Sequence, residues 1–191
     1  GRIDIPSPGD RAGAVKYTDW AIGNFIDQAR TKPWFKDTIF VIVADHQADS
    51  AGKTEVPIQR YHIPLIIYGP DWIKAGKVDK LMSQIDVAPT LLGLLHFSYP
   101  SRFLGYDIMT LPKEKERIFI STYQSLAYGK GDNLVVFNPK QAVSFYQINY
   151  DTGEYTKLPE DPQLVEEAIA WYQGASKIYK DGLYRALTGQ K

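Results

Sequence analysis

The feature that most constrains this chain is an uninterrupted apolar run that ends on two polar residues. The segment TIFVIVADH places residues 38–44, with no polar alternation, ahead of Asp45 and His46. Strands covered on both faces have this character, which is typical of a parallel sheet. A second run, IPLIIYGP, repeats the pattern over residues 63–68. The two runs predict neighbouring core strands of one sheet.

Helical periodicity flanks these strands. Apolar residues recur at helical spacing over residues 14–29. The segment SQIDVAPTLLGLL, residues 83–95, predicts a loop that turns into an apolar helix, with Asp86 placed to cap it. Helix, buried strand, loop, buried strand and helix make an α/β order. We therefore predict an α/β fold with a mainly parallel sheet flanked by helices.

The second half of the chain has a different pattern. Turn-forming Gly, Asn, Asp and Pro residues separate four short segments rich in β-branched and aromatic residues, at 116–122, 133–138, 142–150 and 154–158. The last three predict a small antiparallel meander. An amphipathic pattern over residues 161–187 predicts one or two closing helices, with interruptions expected at Gly174 and Gly182. The predicted domains are an α/β part at 1–115 and a small antiparallel sheet plus C-terminal helix at 116–191.

Composition excludes several kinds of chemistry. The chain contains no cysteine, which excludes a disulfide framework, a thiolate metal site and a cysteine nucleophile. Lys and Arg total 22, as do Asp and Glu, so no net field attracts nucleic acid and no nucleic-acid partner is predicted. No apolar run approaches the roughly 20 residues that span a bilayer. The opening GRIDIPSPGDR reads like the middle of a longer polypeptide, and we expect a fragment of a larger parent.

Asp45 and His46 follow a predicted strand, and ligands of α/β sheets bind beyond the carboxyl ends of the strands. Two neighbouring residues share a ligand only where the chain has begun to turn, which the loop after Ala44 allows. A carboxylate with an imidazole suits Zn or Mn, and suits Ca less. The alternative is that Asp45 caps the next turn and His46 is a hydrogen-bonded residue at the strand end. Two ligands do not complete a site, so others must be acidic or hydroxyl groups or lie outside the chain.

Four stretches, taken together and in order, resemble a known family. They are AVKYTDWAIGNFI, KDTIFVIVADH, YHIPLIIYGP and SQIDVAPTLL, within residues 14–109. In this order they resemble the C-terminal half of the sulfatase and alkaline-phosphatase superfamily. They are most similar to the lipoteichoic-acid-synthase-like phosphoglycerol transferases. The antiparallel tail and the closing helix agree with that layout.

The resemblance implies a metal-dependent enzyme with a covalently modified Thr or Ser. A divalent metal (Mn, Zn or Mg) would hold that nucleophile, an acidic residue of the N-terminal half and an Asp-His pair, which Asp45 and His46 match. The nucleophile and the acidic ligand are expected upstream of Gly1. No hydroxyl residue of this chain lies in a matching motif, so no catalytic residue is assigned here. The chain alone is expected to be inactive.

Two basic residues are predicted to bind substrate. His62, just ahead of the second strand, could bind phosphate oxygens or act as an acid, the alternative being a hydrogen-bonded histidine at a strand start. Lys53, in the loop after the Asp-His pair, could meet a phosphate as a point charge, the alternative being a solvated lysine. The same charge argument extends to Arg2 and Arg11, whereas His96 is interpreted as structural.

The sequence departs from the family pattern at Gln47. Many members have Gly directly after Asp-His, and Gly accepts a positive φ and close approach of a ligand, which Gln does poorly. We therefore expect either another loop path or an altered site at this position.

The function implied is that of the C-terminal portion of an extracytoplasmic, membrane-anchored transferase or hydrolase of the cell envelope. Its substrate would be a phosphoglycerol lipid headgroup or another anionic phosphodiester. The parent would meet the membrane through its N-terminal region. One alternative is a sulfatase or phosphatase of the same superfamily. Another is a non-catalytic α/β module that binds glycan or a partner protein through aromatic residues.

Overall fold

The computed structural model of the protein describes residues 4, 11–47 and 56–185. By its internal packing the chain forms two compact units, one from Gly1–Ala44 with Pro64–Gly76 and the other from Asp45–Ile63 with Lys77–Lys191. Residues 77–115 thus group with the C-terminal sheet. The predicted division after residue 115 concerns the catalytic domain of a longer parent, and it stays a prediction.

The first unit combines one helix with a two-stranded sheet. Its elements are α1 (Arg11–Ala29), β1 (Phe40–Val43) and β2 (Leu65–Tyr68). Ala29 at the end of the helix is buried with Phe35 and Phe40, and Tyr68 packs against them. The Phe40 and Tyr68 rings stack with their centroids 6.0 Å apart. Aromatic burial of this kind fixes the helix end against the sheet.

β1 and β2 are neighbours as predicted, but they run antiparallel, with Phe40 opposite Tyr68 and Val43 opposite Leu65. The prediction of a mainly parallel sheet is therefore wrong for the described residues, whose two sheets are both antiparallel. The physical reason is that an apolar run reports burial and carries no information on strand direction. A parallel neighbour needs a crossover, usually helical. The described part of the connection holds a 3₁₀ turn, Ile58–Tyr61, and no α-helix.

The second unit is built on a five-stranded antiparallel meander. Its strands, in sheet order, are β3 (Arg117–Ser121), β4 (Leu126–Lys130), β5 (Asn133–Asn138), β6 (Ala142–Ile148) and β7 (Tyr155–Lys157). The predicted meander is confirmed over its last three strands. β4 was not predicted, because its sequence LAYGK contains Ala and Gly, which are depleted in strands.

Alternation along the strands divides the buried side chains between the two faces of this sheet. Leu134 packs in a cluster on one face, and the adjacent Val135 packs in a cluster on the other. The second cluster includes Leu164 and Ala168 of α3 (Pro162–Lys180). The predicted closing helix is thus confirmed, and it covers one face of the meander.

Local sequence explains where α3 begins. The Asp161 carboxylate accepts hydrogen bonds from the backbone N–H groups of Gln163 at 2.9 Å and Leu164 at 3.3 Å. Pro162 occupies the first turn, where a backbone N–H would have no partner within the helix, so the missing N–H of proline costs nothing there. Among the described helices, none is both long and apolar enough to cross a membrane.

The segment predicted as a capped helix at 83–95 is a 3₁₀ turn, Gln84–Asp86, that leads into α2 (Val87–Leu94). Asp86 caps the turn and not α2, which corrects the prediction. Its carboxylate accepts a hydrogen bond from the Ser83 backbone N–H at 2.9 Å, and the Ser83 side chain accepts one from the Asp86 backbone. This reciprocal pair is a capping box, which the spacing S-x-x-D permits.

Candidate functional site

Asp45 and His46 form a bend just beyond the C-terminal end of β1. Their side chains lie close together, with Asp45 Oδ2 3.5 Å from His46 Nε2. Both are open to solvent, since 87% of the Asp45 side chain and 74% of the His46 side chain are exposed. The two side chains therefore point to the same side of the chain, which is the arrangement that a shared ligand requires.

Two local hydrogen bonds hold the pair in this arrangement. The His46 N–H donates to Asp45 Oδ1 at 2.9 Å, so Asp45 also caps its own turn. His46 Nδ1 lies 2.7 Å from the Gln47 carbonyl oxygen. Because a carbonyl oxygen only accepts, Nδ1 carries the hydrogen in this contact and Nε2 of the neutral ring keeps its lone pair. Asp45 Oδ2 and His46 Nε2 are thus the two nearest polar side-chain atoms of the pair, and both side chains are open to solvent.

The spacing of these two atoms fits a metal ion. Ligand atoms about 2.0–2.1 Å from a tetrahedral ion lie about 3.3–3.4 Å apart, close to the 3.5 Å between Asp45 Oδ2 and His46 Nε2. The donor chemistry also suits a divalent ion such as Zn or Mn. Within residues 11–47 and 56–185, no three His, Cys, Asp or Glu side chains are grouped closely enough to hold an ion. The described residues therefore contribute a pair of potential ligands.

Gln47 occupies the position after the pair without strain. Among the described non-glycine residues, a positive φ occurs at His96, Lys140 and Gln141. Gln47 thus has an ordinary backbone conformation, and the loop does not require glycine there. Burial raises the pKa of Tyr61. A hydrogen bond between the Gln47 side chain and the Tyr61 hydroxyl offsets part of that rise. Gln47 therefore occupies this position with an ordinary backbone and a side-chain contact to Tyr61.

Sequence reasoning did not single out Gln84, which contacts the pair directly. Gln84 Nε2 donates a hydrogen bond to the Asp45 carbonyl oxygen at 3.0 Å. Gln84 is the first residue of the 3₁₀ turn that Asp86 caps. The only sequence signal was the capping spacing, which locates a turn but not the partner that its exposed side chain reaches.

The turn that carries Gln84 is anchored by a buried ion pair. Asp86 is 0% exposed and Arg117 is 1% exposed. The two guanidinium NH groups of Arg117 donate to Asp86 Oδ2 at 2.9 Å and to Oδ1 at 2.8 Å. The guanidinium also lies 4.4 Å from the Tyr106 ring centroid. Arg117 was missed because it opens a strand, where a charged residue is normally solvated.

His62 does not join the pair. His62 is exposed, its backbone N–H donates to the Gln59 carbonyl at 3.4 Å, and no hydrogen bond or ion pair among the described residues links it to Asp45 or His46. Lys53 and Arg2 lie outside the described residues.

His96, interpreted as structural, follows the end of α2 with a φ of 55°, and its N–H donates to the Gly93 carbonyl at 2.9 Å. It thus helps to end that helix.

Comparison with known proteins identifies the superfamily. The family model described as Sulfatase matches residues 4–97, the region that holds Asp45, His46 and the capped turn. A solved structure of a protein in the alkaline phosphatase superfamily from Vibrio parahaemolyticus aligns over 97% of this chain and 46% of its own, with a TM-score of 0.89 and 34% identity. The chain belongs to the sulfatase and alkaline-phosphatase superfamily, which confirms the resemblance at that level and the α/β fold class.

Curated relatives come from two kinds of enzyme. An Arylsulfatase of Clostridium perfringens is 24% identical over 201 residues, which cover 89% of this chain and 41% of the relative. A Phosphoglycerol transferase I of Salmonella arizonae is 24% identical over 168 residues, which cover 83% of this chain and 22% of the relative. The chain therefore spans less than half the length of these relatives.

Proposed function

We propose that this chain is the C-terminal part of a metal-dependent phosphoglycerol transferase or phosphodiesterase, and that Asp45 and His46 supply two of its metal ligands. The observation that carries the proposal is the 3.5 Å separation of Asp45 Oδ2 and His46 Nε2 on an exposed bend. That bend lies within the region matched by the sulfatase family. Similarity to a phosphoglycerol transferase supports the choice of substrate class.

The residues of this chain have separate parts in the proposal. His46 presents Nε2 because its Nδ1 is held by the Gln47 carbonyl oxygen. Asp45 supplies a carboxylate oxygen and, with its other oxygen, fixes the His46 N–H. When bound, a divalent Mn, Zn or Mg ion lowers the pKa of a coordinated hydroxyl and neutralises charge on the transferred group. His62 and Lys53 are proposed to bind the anionic oxygens of the substrate.

The nucleophilic Thr or Ser and the other metal ligands belong, in this proposal, to a longer parent protein. The parent would be extracytoplasmic and anchored in the membrane, where an anionic phospholipid headgroup is at hand. Since the described residues offer only a pair of ligands, we expect the 191-residue chain alone to be inactive on phosphodiesters.

The test uses the full-length parent loaded with Mn, Zn or Mg. We expect His46→Ala to abolish turnover of a phosphodiester substrate and to lower bound metal measured by elemental analysis, while circular dichroism is unchanged. His62→Ala should reduce turnover by roughly 10²–10⁴-fold if it acts as an acid or base. His96→Asn is the matched control, since Asn accepts the left-handed backbone found there. Full metal content and turnover in His46→Ala would refute the proposal.

A second candidate is a sulfatase or phosphatase, favoured by the similarity to an Arylsulfatase. It would use the same metal pair on a sulfate ester or a phosphate monoester. Assaying the parent on matched aryl sulfate, aryl phosphate and phosphodiester substrates separates the two, because the preferred leaving group identifies the class. A sulfatase should also carry a Cys or Ser processed to formylglycine in the remainder of the parent. A parent that binds no metal would instead favour a non-catalytic binding module.

A further inference from the structure

We propose that Gln84 is a positioning residue for the Asp45–His46 pair, and that the buried Asp86–Arg117 ion pair holds Gln84 in place. This inference rests on the proposed role of Asp45 and His46 as metal ligands. It assigns a supporting function to the turn that leads into α2.

The peptide group between Asp45 and His46 is held at both of its polar atoms. Its carbonyl oxygen accepts a hydrogen bond from Gln84 Nε2 at 3.0 Å, and its N–H donates to Asp45 Oδ1 at 2.9 Å. A peptide is planar, so fixing both atoms fixes the orientation of the plane. That plane contains the Cα atoms of Asp45 and His46, so fixing it fixes the two points from which their side chains leave the backbone.

The turn that bears Gln84 is itself tied to the start of β3. Ser83 Oγ accepts a hydrogen bond from the Phe119 N–H at 2.9 Å. Asp86 receives two hydrogen bonds from the Arg117 guanidinium. Both charged side chains are almost fully buried. Removing either partner would strand a charge in the interior, so the turn has one strongly favoured position.

Residues on both sides of the turn add further attachments. The Leu81 N–H donates to Glu116 Oε2 at 3.0 Å. The Tyr106 N–H donates to Asp86 Oδ1 at 2.8 Å. The turn is thus held at its entry and at its end, while the exposed side chain of Gln84 extends toward the Asp45 carbonyl oxygen. A rigid support of this kind keeps ligands close to their productive geometry.

Groups that orient metal ligands affect the metal more than they affect the fold. Loss of such an outer hydrogen bond typically costs about 10- to 100-fold in metal affinity or activity. Gln84 is exposed, and surface substitutions away from special features barely change stability. We therefore expect a Gln84 variant to lose metal affinity while it unfolds at the same temperature as wild type.

The experiment measures cobalt(II) and zinc(II) binding by the full-length parent, with thermal unfolding in parallel. Gln84→Ala and Gln84→Met both remove the donor, and Met keeps the length of the side chain. Gln59→Ala is the matched control, because Gln59 Nε2 donates to another backbone carbonyl, that of Asp151, at 2.9 Å. We expect both Gln84 variants to bind metal about 10- to 100-fold more weakly and to shift the cobalt absorption bands, with Gln59→Ala unchanged.

Asp45→Ala and His46→Ala separate failure of this inference from failure of the proposed function. If they weaken metal binding but Gln84→Ala and Gln84→Met bind with wild-type affinity and spectrum, the positioning role is overturned and the metal site stands. If Asp45→Ala and His46→Ala bind metal as wild type does, the metal proposal falls and the positioning role falls with it. A drop in melting temperature without a spectral shift would show that Gln84 is merely structural.

Discussion

The molecule contains two aspartates beside a basic partner, in opposite surroundings. Asp86 and Arg117 are buried and joined by two hydrogen bonds. Asp45 and His46 are mostly exposed, with Asp45 Oδ2 3.5 Å from His46 Nε2. The first pair has no surface through which to meet a ligand. The second has polar atoms facing solvent, and the described residues hold it through its own turn, the Gln47 carbonyl oxygen and Gln84.

The difference teaches how burial divides structural roles from chemical ones. A buried ion pair must satisfy itself, because each unpaired charge carries a large desolvation cost. An exposed pair gains little from its own attraction and keeps its capacity to bind something else. We infer that the buried pair organises the turn, and that the turn in turn supports the exposed pair.

The largest effect on stability is expected from a substitution that breaks the buried ion pair. Asp86→Ala should lower the free energy of unfolding by about 3–5 kcal/mol, because it leaves the Arg117 charge buried without a partner. It also removes the acceptor for the Ser83 N–H. Urea unfolding followed by circular dichroism measures the change.

Two variants make the comparison sharp. Asp45→Ala, on the exposed bend, should change the unfolding free energy by no more than about 0.5 kcal/mol. The double substitution Asp86→Leu with Arg117→Met should recover most of the loss, since apolar residues can replace a buried ion pair. Equal destabilisation by Asp86→Ala and Asp45→Ala would show that burial does not separate the two pairs.

Much of the fold follows from local pattern. Short segments rich in β-branched and aromatic residues, bounded by turn residues, predict the last three strands, and helical spacing predicts α1 and α3, because each pattern is read within a few residues. Strand direction in the first unit was predicted wrongly. A uniformly apolar segment such as FVIV indicates burial, but it does not indicate whether the neighbouring strand runs parallel or antiparallel.

The candidate site was predictable only in part. Asp45 and His46 stand at the end of an apolar run, which marks them in the sequence. Gln84 and Arg117 carry no such mark, because their partners are 39 and 31 positions away and a long-range contact leaves no local pattern. Only packing brings these residues to their partners.

Two tyrosines extend the comparison to neutral groups. Burial, as the largest cause, raises the pKa of Tyr172 and of Tyr150 to about 12. The Tyr172 hydroxyl donates to the Ala127 carbonyl oxygen at 2.7 Å, whereas the buried Tyr150 hydroxyl has no hydrogen-bond partner among the described residues. Tyr172→Phe should therefore cost about 1 kcal/mol in unfolding free energy, and Tyr150→Phe should be neutral or stabilising.

Chemical denaturation of the two phenylalanine variants at about pH 7 and about pH 11 measures this difference. A raised phenol pKa stabilises the fold fully below the unfolded pKa of about 10, and the stabilisation is lost as pH rises toward the folded value. When the pH is raised from about 7 to about 11, the unfolding free energy of each phenylalanine variant should thus fall by less than that of wild type. A greater cost at about pH 7 for Tyr150→Phe than for Tyr172→Phe would reverse the assignment of paired and unpaired hydroxyls.

The Lys130–Glu167 pair is intermediate in exposure between the buried Asp86–Arg117 pair and the exposed Asp45–His46 pair. Lys130 Nζ lies 2.7 Å from Glu167 Oε2, and the Tyr128 hydroxyl donates to Glu167 Oε1 at 2.8 Å. Burial raises the pKa of Glu167, but the hydrogen bonds from Lys130 and Tyr128 outweigh it and the pKa is lowered overall. A lowered carboxyl pKa stabilises the fold above the unfolded pKa of about 4.3, and the stabilisation is lost as pH falls through the folded value.

Glu167→Gln should therefore reduce the unfolding free energy by about 0.5–1 kcal/mol at about pH 7, and the gap to wild type should narrow on acidification to about pH 3. Urea titrations at the two pH values measure the gap. The neighbouring Glu166→Gln is the matched control, because Glu166 is exposed and should show no gap at either pH. If the difference in unfolding free energy between wild type and Glu167→Gln instead widens in acid, the fold does not favour the charged form of Glu167. The contact with Lys130 would then fail to compensate the partial burial of that carboxylate.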